Sequence, residues 1–244
     1  MSTIRSEEIA RFNRLAATWW DSSGPMRPLH VINSLRLDYV LAQIARHCGR
    51  PHGDLRGLRI ADIGCGAGLM CEPLAAAGAS VVGVDAAAKN IAVARLHANQ
   101  SGLSIDYREG EPNVALGPLD SFDVLLLLEV VEHVDDVPAF VADTSARLAP
   151  GGLLVASTIN RTLLSYLSAI LAAEYVFRLL PKGTHRWSQF VKPEELALAA
   201  RACGLQPIDS RGMLYLPVLH RARWSTHQSV NYIATFGKEK AHAP

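Results

Sequence analysis

Ile60-Ala61-Asp62-Ile63-Gly64-Cys65-Gly66-Ala67-Gly68, followed by Val81-Val82-Gly83-Val84-Asp85, decides the fold of this chain. It reads as a buried strand, a glycine turn, a helix and a second strand ending in a carboxylate. Glycines at 64, 66 and 68 allow a sharp turn and a close approach to a ligand, which a Cβ would obstruct. Asp85 follows Gly64 by 21 residues, where a carboxylate at the end of the second strand meets the ribose of a nucleotide-type cofactor.

The spacing narrows the choice of cofactor. A dehydrogenase fingerprint places glycines first, third and sixth, whereas here the fifth position is Gly68 and the sixth is Leu69. The turn also lacks the Lys-Ser/Thr pair of a phosphate-binding loop. Asp62 just before it would repel a pyrophosphate and suits a cation, an ammonium or a sulfonium. S-adenosylmethionine carries both, and Asp-x-Gly-x-Gly-x-Gly resembles the first motif of class I methyltransferases. Asp62, Gly64, Gly66, Gly68 and Asp85 are the expected cofactor-binding residues.

Beyond the turn, apolar runs alternate with helical patterns. Strands are predicted at 58–64, 80–85, 105–108, 122–128 and 153–158, and helices at 69–77, 89–100 and 136–148. Asp135 or Asp136 can cap the last helix before Pro138 enters its first turn. Repeating βαβ units imply a parallel sheet with helices on both faces. Leu205–Leu214 and Val230–Phe236 read as a terminal hairpin pair. The expected fold is α/β and Rossmann-like, a mostly parallel seven-stranded sheet with an antiparallel terminal strand. Residues 1–50 form an expected N-terminal helical lid, and 51–244 the cofactor-binding domain.

Composition agrees with one enzyme domain. Lys plus Arg is 24 against 23 for Asp plus Glu in 244 residues, so no net charge steers the chain toward nucleic acid. The four cysteines form no Cys-x-x-Cys pair and read as reduced thiols of a reducing compartment. Met1–Arg14 mixes charges without the apolar core of a signal peptide, so the mature chain is expected to start near Met1.

Chemistry concentrates after the fourth strand. Phe122–Leu128 is almost wholly apolar and ends in Glu129-Val130-Val131-Glu132-His133, at the carboxyl edge where open parallel sheets bind ligands. Two carboxylates and an imidazole suit a divalent cation, Mg²⁺ or a harder transition metal. The alternative is local packing of His133 with one Glu at the cofactor, and His133 can equally act as a base.

These segments together resemble one family. Phe12-Asn13-Arg14-Leu15-Ala16-Ala17-Thr18-Trp19-Trp20-Asp21, Pro28-Leu29-His30-Val31-Ile32-Asn33, Leu35-Arg36-Leu37, the glycine motif, Glu129-Val130-Val131-Glu132-His133 and Pro181-Lys182-Gly183-Thr184-His185 are similar to the ubiquinone-biosynthesis O-methyltransferases over nearly the whole chain. The resemblance implies methylation of polyprenyl catechol-type hydroxyls, in 2-polyprenyl-6-hydroxyphenol and later 3-demethylubiquinol, with S-adenosylmethionine as donor. It implies cofactor contacts from Arg36, Gly64, Asp85 and Leu128, and metal ligation by Glu129, Glu132 and His133. Family members often carry Met at position 128 and Gly at 67, where this chain has Leu128 and Ala67. Either substitution leaves backbone contacts intact.

Trp19 and Trp20 read either as core anchors or as a lid that excludes water from the sulfonium. The run from Leu163 to Leu180, inside an apolar insertion at about 161–186, is interrupted by Glu174 and Arg178 and falls short of a spanning helix. Two readings stand for it: a substrate-covering helix, or an interfacial helix with Arg161, Arg178, Lys182 and Arg186 at lipid headgroups. The second places the protein in the cytoplasm, peripheral to the inner face of the membrane, where a polyprenyl substrate resides. Two other functions are compatible with the motifs, a methyltransferase of another small phenol or lipid and a non-catalytic cofactor-binding partner in a quinone-biosynthesis complex.

Overall fold

The computed structural model describes residues 9–10, 15–166, 187–217 and 219–240. Helix α1 (Arg27–Cys48) starts with Pro28 in its first turn and stops at Gly49, whose left-handed φ of +62° closes the helix end. Strand β1 (Arg59–Ile63) runs into the glycine turn, α2 (Cys71–Ala76) leads to β2 (Ser80–Asp85), and α3 (Ala88–Gln100) leads to β3 (Asp106–Glu109). A short helix α4 (Pro112–Ala115) precedes β4 (Phe122–Leu128). Helix α5 (Val137–Ser145) begins where the Asp136 carboxylate accepts the Ala139 N–H at 3.0 Å, the cap legible in the sequence. Strand β5 (Leu148–Ile159), helix α6 (Pro193–Ala202) and strands β6 (Leu205–Leu216), β7 (Arg221–Ser225) and β8 (Asn231–Lys238) complete the order.

The sheet has eight strands in the order β3-β2-β1-β4-β5-β8-β6-β7. β1 to β5 are mutually parallel, while β8 pairs antiparallel with β5 and β6, and β6 with β7. The strand direction of travel reverses between β1 and β4, so a crevice opens above their carboxyl ends. Two apolar layers cover the sheet. α1, α2 and α3 contribute Tyr39, Val40, Ile44, Leu74, Ile91 and Ala94 to one, and α5 and α6 contribute Phe140, Val141, Leu196 and Ala199 to the other. Helix α1 therefore shares the core of the sheet.

The expectation of seven strands is corrected to eight, with three antiparallel strands at one end. β7 escapes the sequence pattern because Arg221-Ala222-Arg223-Trp224-Ser225 carries the charges of an edge strand and little apolar alternation. β5 starts five residues earlier than expected, since Leu148 pairs with Phe122 across a register shift. Of the insertion, Leu163–Ser165 forms one helical turn capped by Thr162. Residues 167–186, including Pro181–His185, lie outside the described residues, as do Phe12–Arg14. Among the described residues no helix is long and apolar enough to cross a membrane. The four cysteines are free thiols.

Candidate cofactor and catalytic site

The turn after β1 is held by β2. The Gly64 and Cys65 N–H groups both donate to the Val84 carbonyl, at 2.7 and 3.0 Å. All three glycines of the turn have left-handed φ and no room for a Cβ. Gly64 (φ +76°) faces Val130 and Gly66 (φ +55°) faces the Trp19 ring, so a Cβ would fall 2.6 and 2.5 Å from those side chains. Gly68 turns instead toward Tyr107 of β3 and serves packing behind the loop. Asp85, at the end of β2, accepts the Gly66 N–H at 2.9 Å on Oδ2. Its Oδ1 accepts the Ala87 N–H at 2.8 Å and the Asn90 amide at 3.2 Å. Burial raises its pKa, and the two backbone N–H groups oppose that rise.

Asp62 sits deeper. Only 3% of it is exposed, and the Cys71 thiol donates to Oδ2 at 3.4 Å. Burial pushes its pKa up to about 7, with Asp85 adding to the shift and Arg36 opposing it. A buried acid poised near neutrality favours a cationic ligand that restores its charge.

The N-terminal segment forms the outer wall of the turn. After a short helical turn at Ala16–Thr18, the Trp19 indole N–H donates to Asn90 Oδ1 at 3.0 Å and that of Trp20 to the Ala67 carbonyl at 3.1 Å. Trp20 stacks on His97 with ring centroids 3.5 Å apart, and His97 Nδ1 lies 2.7 Å from Glu72 Oε1. His30 Nε2 contacts the Trp19 carbonyl at 2.8 Å, which makes it a structural residue of this wall. Both readings of the tryptophans meet here, because Trp19 is buried and also faces the glycine turn. His185 lies outside the described residues.

Across the crevice, Leu128 ends β4 opposite Ser157 of β5 and Glu129 follows with a left-handed φ of +56°. That strained backbone aims its carboxylate at Arg36, with which it forms an ion pair. Arg36 is only 1% exposed, so it is no surface arginine. Its Nη1 donates to Asn33 Oδ1 at 3.0 Å, and its buried Nε has no partner among the described residues. Ser157 Oγ also approaches Glu129, at 3.4 Å. Glu132 lies in a short helical turn, Val131–His133, where the Thr158 hydroxyl donates to Oε2 at 2.8 Å. Burial, reinforced by the Glu129 charge, pushes the Glu132 carboxyl well above the usual range.

Among the described residues, no group of three His, Cys, Asp or Glu side chains is arranged to hold a metal ion. Of the three residues of the expected cation set, Glu129 is paired with Arg36 and Glu132 accepts from Thr158. The two carboxylates also lie against each other, which adds to the rise at Glu132. Asn90, Ser157 and Thr158 were missed because they act on residues distant in sequence. The only sequence signal for the last two is a polar pair ending an apolar strand.

A reversed strand order with an acid-flanked glycine turn at the reversal is the framework of a class I S-adenosylmethionine-dependent methyltransferase. A methyltransferase domain family matches residues 33–210. The ubiquinone biosynthesis O-methyltransferase of Chelativorans sp. is 47% identical over 99% of this chain and 97% of its own length. That of Dinoroseobacter shibae is 46% identical over 95% of both chains. The chain belongs to the ubiquinone biosynthesis O-methyltransferase family, and its cofactor is S-adenosylmethionine. Among solved structures, magnesium protoporphyrin IX methyltransferase from Synechocystis PCC 6803 with bound SAH shares the fold at TM-score 0.66 and 20% identity, over 95% of this chain and 100% of that one. The [4+2]-cyclase SpnF shares it at TM-score 0.59 and 16% identity over 84% of this chain and 81% of that one, so the fold alone does not fix the reaction.

Proposed function

We propose that the enzyme methylates the hydroxyls of polyprenyl catechol-type intermediates, 2-polyprenyl-6-hydroxyphenol and 3-demethylubiquinol, in ubiquinone biosynthesis. The full-length identity of 46% and 47% to enzymes of that name carries this reading. In it, Asp85 receives the ribose hydroxyls, Asp62 the ammonium, and the unpartnered Nε of Arg36 the cofactor carboxylate. Gly64, Gly66 and Leu128 line the cofactor. Trp19 and Trp20, ahead of the core helix α1, cover the glycine turn.

A phenol with an ordinary pKa of about 10 is a poor nucleophile at neutral pH. Glu129 is paired with Arg36 and burial raises the Glu132 carboxyl well above the usual range, and in this reading His133 accepts the phenolic proton. The phenolate oxygen then attacks the methyl carbon in line, the carbon–sulfur bond breaks, and the sulfonium becomes a neutral thioether. Charge disappears in that step, so a dry wall such as Trp19 favours it. Glu132, held by Thr158, positions the turn that carries His133.

Methyl transfer to a short-tailed demethylubiquinol tests both acceptor and base. Activity that survives EDTA, is lost in His133→Ala by about 10²-fold or more, and is retained in part in Glu132→Gln is the expected result. Loss in EDTA with recovery in Mg²⁺ would replace the base with a metal site. No product would remove the polyprenyl phenol as acceptor.

The insertion at 161–186 gives the enzyme access to a membrane-dissolved tail at the inner, cytoplasmic face. Leu163, Leu164, Tyr166 and Trp187, at its described ends, are all exposed apolar side chains, which supports peripheral contact and leaves room for a biosynthetic complex.

A further inference from the structure

Asn90 lies on the first turn of α3, is only 1% exposed, and has no part in the roles above. Its amide bridges the Trp19 indole and the Asp85 carboxylate. The Trp19 indole nitrogen is a donor only, so it must face Asn90 Oδ1, at 3.0 Å. The Asp85 carboxylate accepts, so it must face Asn90 Nδ2, at 3.2 Å. One orientation of the amide satisfies both contacts, and a flipped amide would set oxygen against carboxylate and N–H against N–H. Trp19 thereby fixes which end of Asn90 reaches Asp85.

We infer that Asn90 is a positioning residue that couples closure of the N-terminal wall to the ribose-binding carboxylate. With Trp19 seated on Gly66, Asn90 completes three donors that fix both oxygens of Asp85. With Trp19 displaced, the amide is free to rotate and Asp85 loses its side-chain donor. The nucleoside half of S-adenosylmethionine is then read through the lid. This rests on Asp85 receiving the ribose hydroxyls.

The discriminating readout is the preference for S-adenosylhomocysteine over its 2′-deoxy and 3′-deoxy analogues, measured by calorimetry. Asn90→Asp is isosteric, keeps an acceptor for Trp19 and removes the donor to Asp85. Trp19→Phe removes the indole N–H together with the outer indole ring that lies over Gly66. Each variant should weaken S-adenosylhomocysteine by about five- to thirty-fold and the deoxy analogues by less, so the preference shrinks. The double variant should be no worse than Asn90→Asp alone, because both losses pass through one amide. Equal weakening of all three ligands, or full additivity, would reduce Asn90 to an anchor for the wall and overturn the inference. An Asp85→Asn variant with parental affinity and preference would instead remove the ribose reading on which it stands. Thermal unfolding of each variant separates loss of fold from loss of recognition.

Discussion

Asp62 carries the sharpest electrostatic consequence. An unfolded aspartate titrates near 3.9, whereas in the fold this group is pushed up to about 7. Between those values the folded protein holds a proton that the unfolded chain has released, so folding stability is greatest below the lower value and falls as pH rises through the higher one. Cofactor binding has the opposite sign, because an ammonium needs the ionised acid. Affinity for S-adenosylhomocysteine should climb with pH, by up to about tenfold per unit below 7, and level off above it. In Asp62→Asn that slope should vanish in calorimetry across the same range, together with most of the affinity. A parental slope in the variant would assign the titration elsewhere. Asp62 and Asp85 are legible in the sequence because each ends a strand beside a glycine turn. Arg36 is not, since a helical arginine defaults to the surface and only the resemblance marked it. Its burial against Glu129 follows from the left-handed backbone at Glu129, which no local pattern announces.

At the scale of elements, periodicity located every strand from β1 to β5 and the longer helices between them but not the one-turn α4 (Pro112–Ala115), because a strand buried on both faces must be continuously apolar. It failed where pairing overrides pattern. β7 is charged, and the first residues of β5 include Pro150 and two glycines, yet both join the sheet through a neighbour supplied later or earlier in the chain. Capping is local and so was readable. Asp136→Ala, which removes the 3.0 Å bond at the start of α5, should cost about 1 kcal/mol. That corresponds to roughly 2–4 °C in a thermal scan of a protein this size. The affinity for S-adenosylhomocysteine should not change, since Asp136 touches none of the cofactor-facing groups.

For the molecule as a whole, a core of ordinary α/β type supports two margins, both following carboxyl ends of parallel strands. One is the wall of indoles on the glycine turn. The other is the exposed apolar margin at Leu163, Leu164, Tyr166 and Trp187. If the second meets lipid, Leu163→Glu with Leu164→Glu should lower co-sedimentation with anionic vesicles while leaving cofactor affinity at the parental level. Unchanged sedimentation would move the contact into other residues or exclude it. The family-wide chemistry was readable from the glycine turn and its flanking acids, whereas the lid was readable only as a choice between packing and cover, because two tryptophans in a row satisfy either.

The chain has four tryptophans, and two of them, Trp19 and Trp20, stand within hydrogen-bonding reach of Asn90 and the glycine loop. If the cofactor binds at the glycine loop as proposed, it arrives beside Trp19, which faces Gly66, and Trp20, which bonds Ala67. On that reading the enzyme carries its own optical reporter, and ordinary ultraviolet emission should follow cofactor arrival and departure in real time without any label.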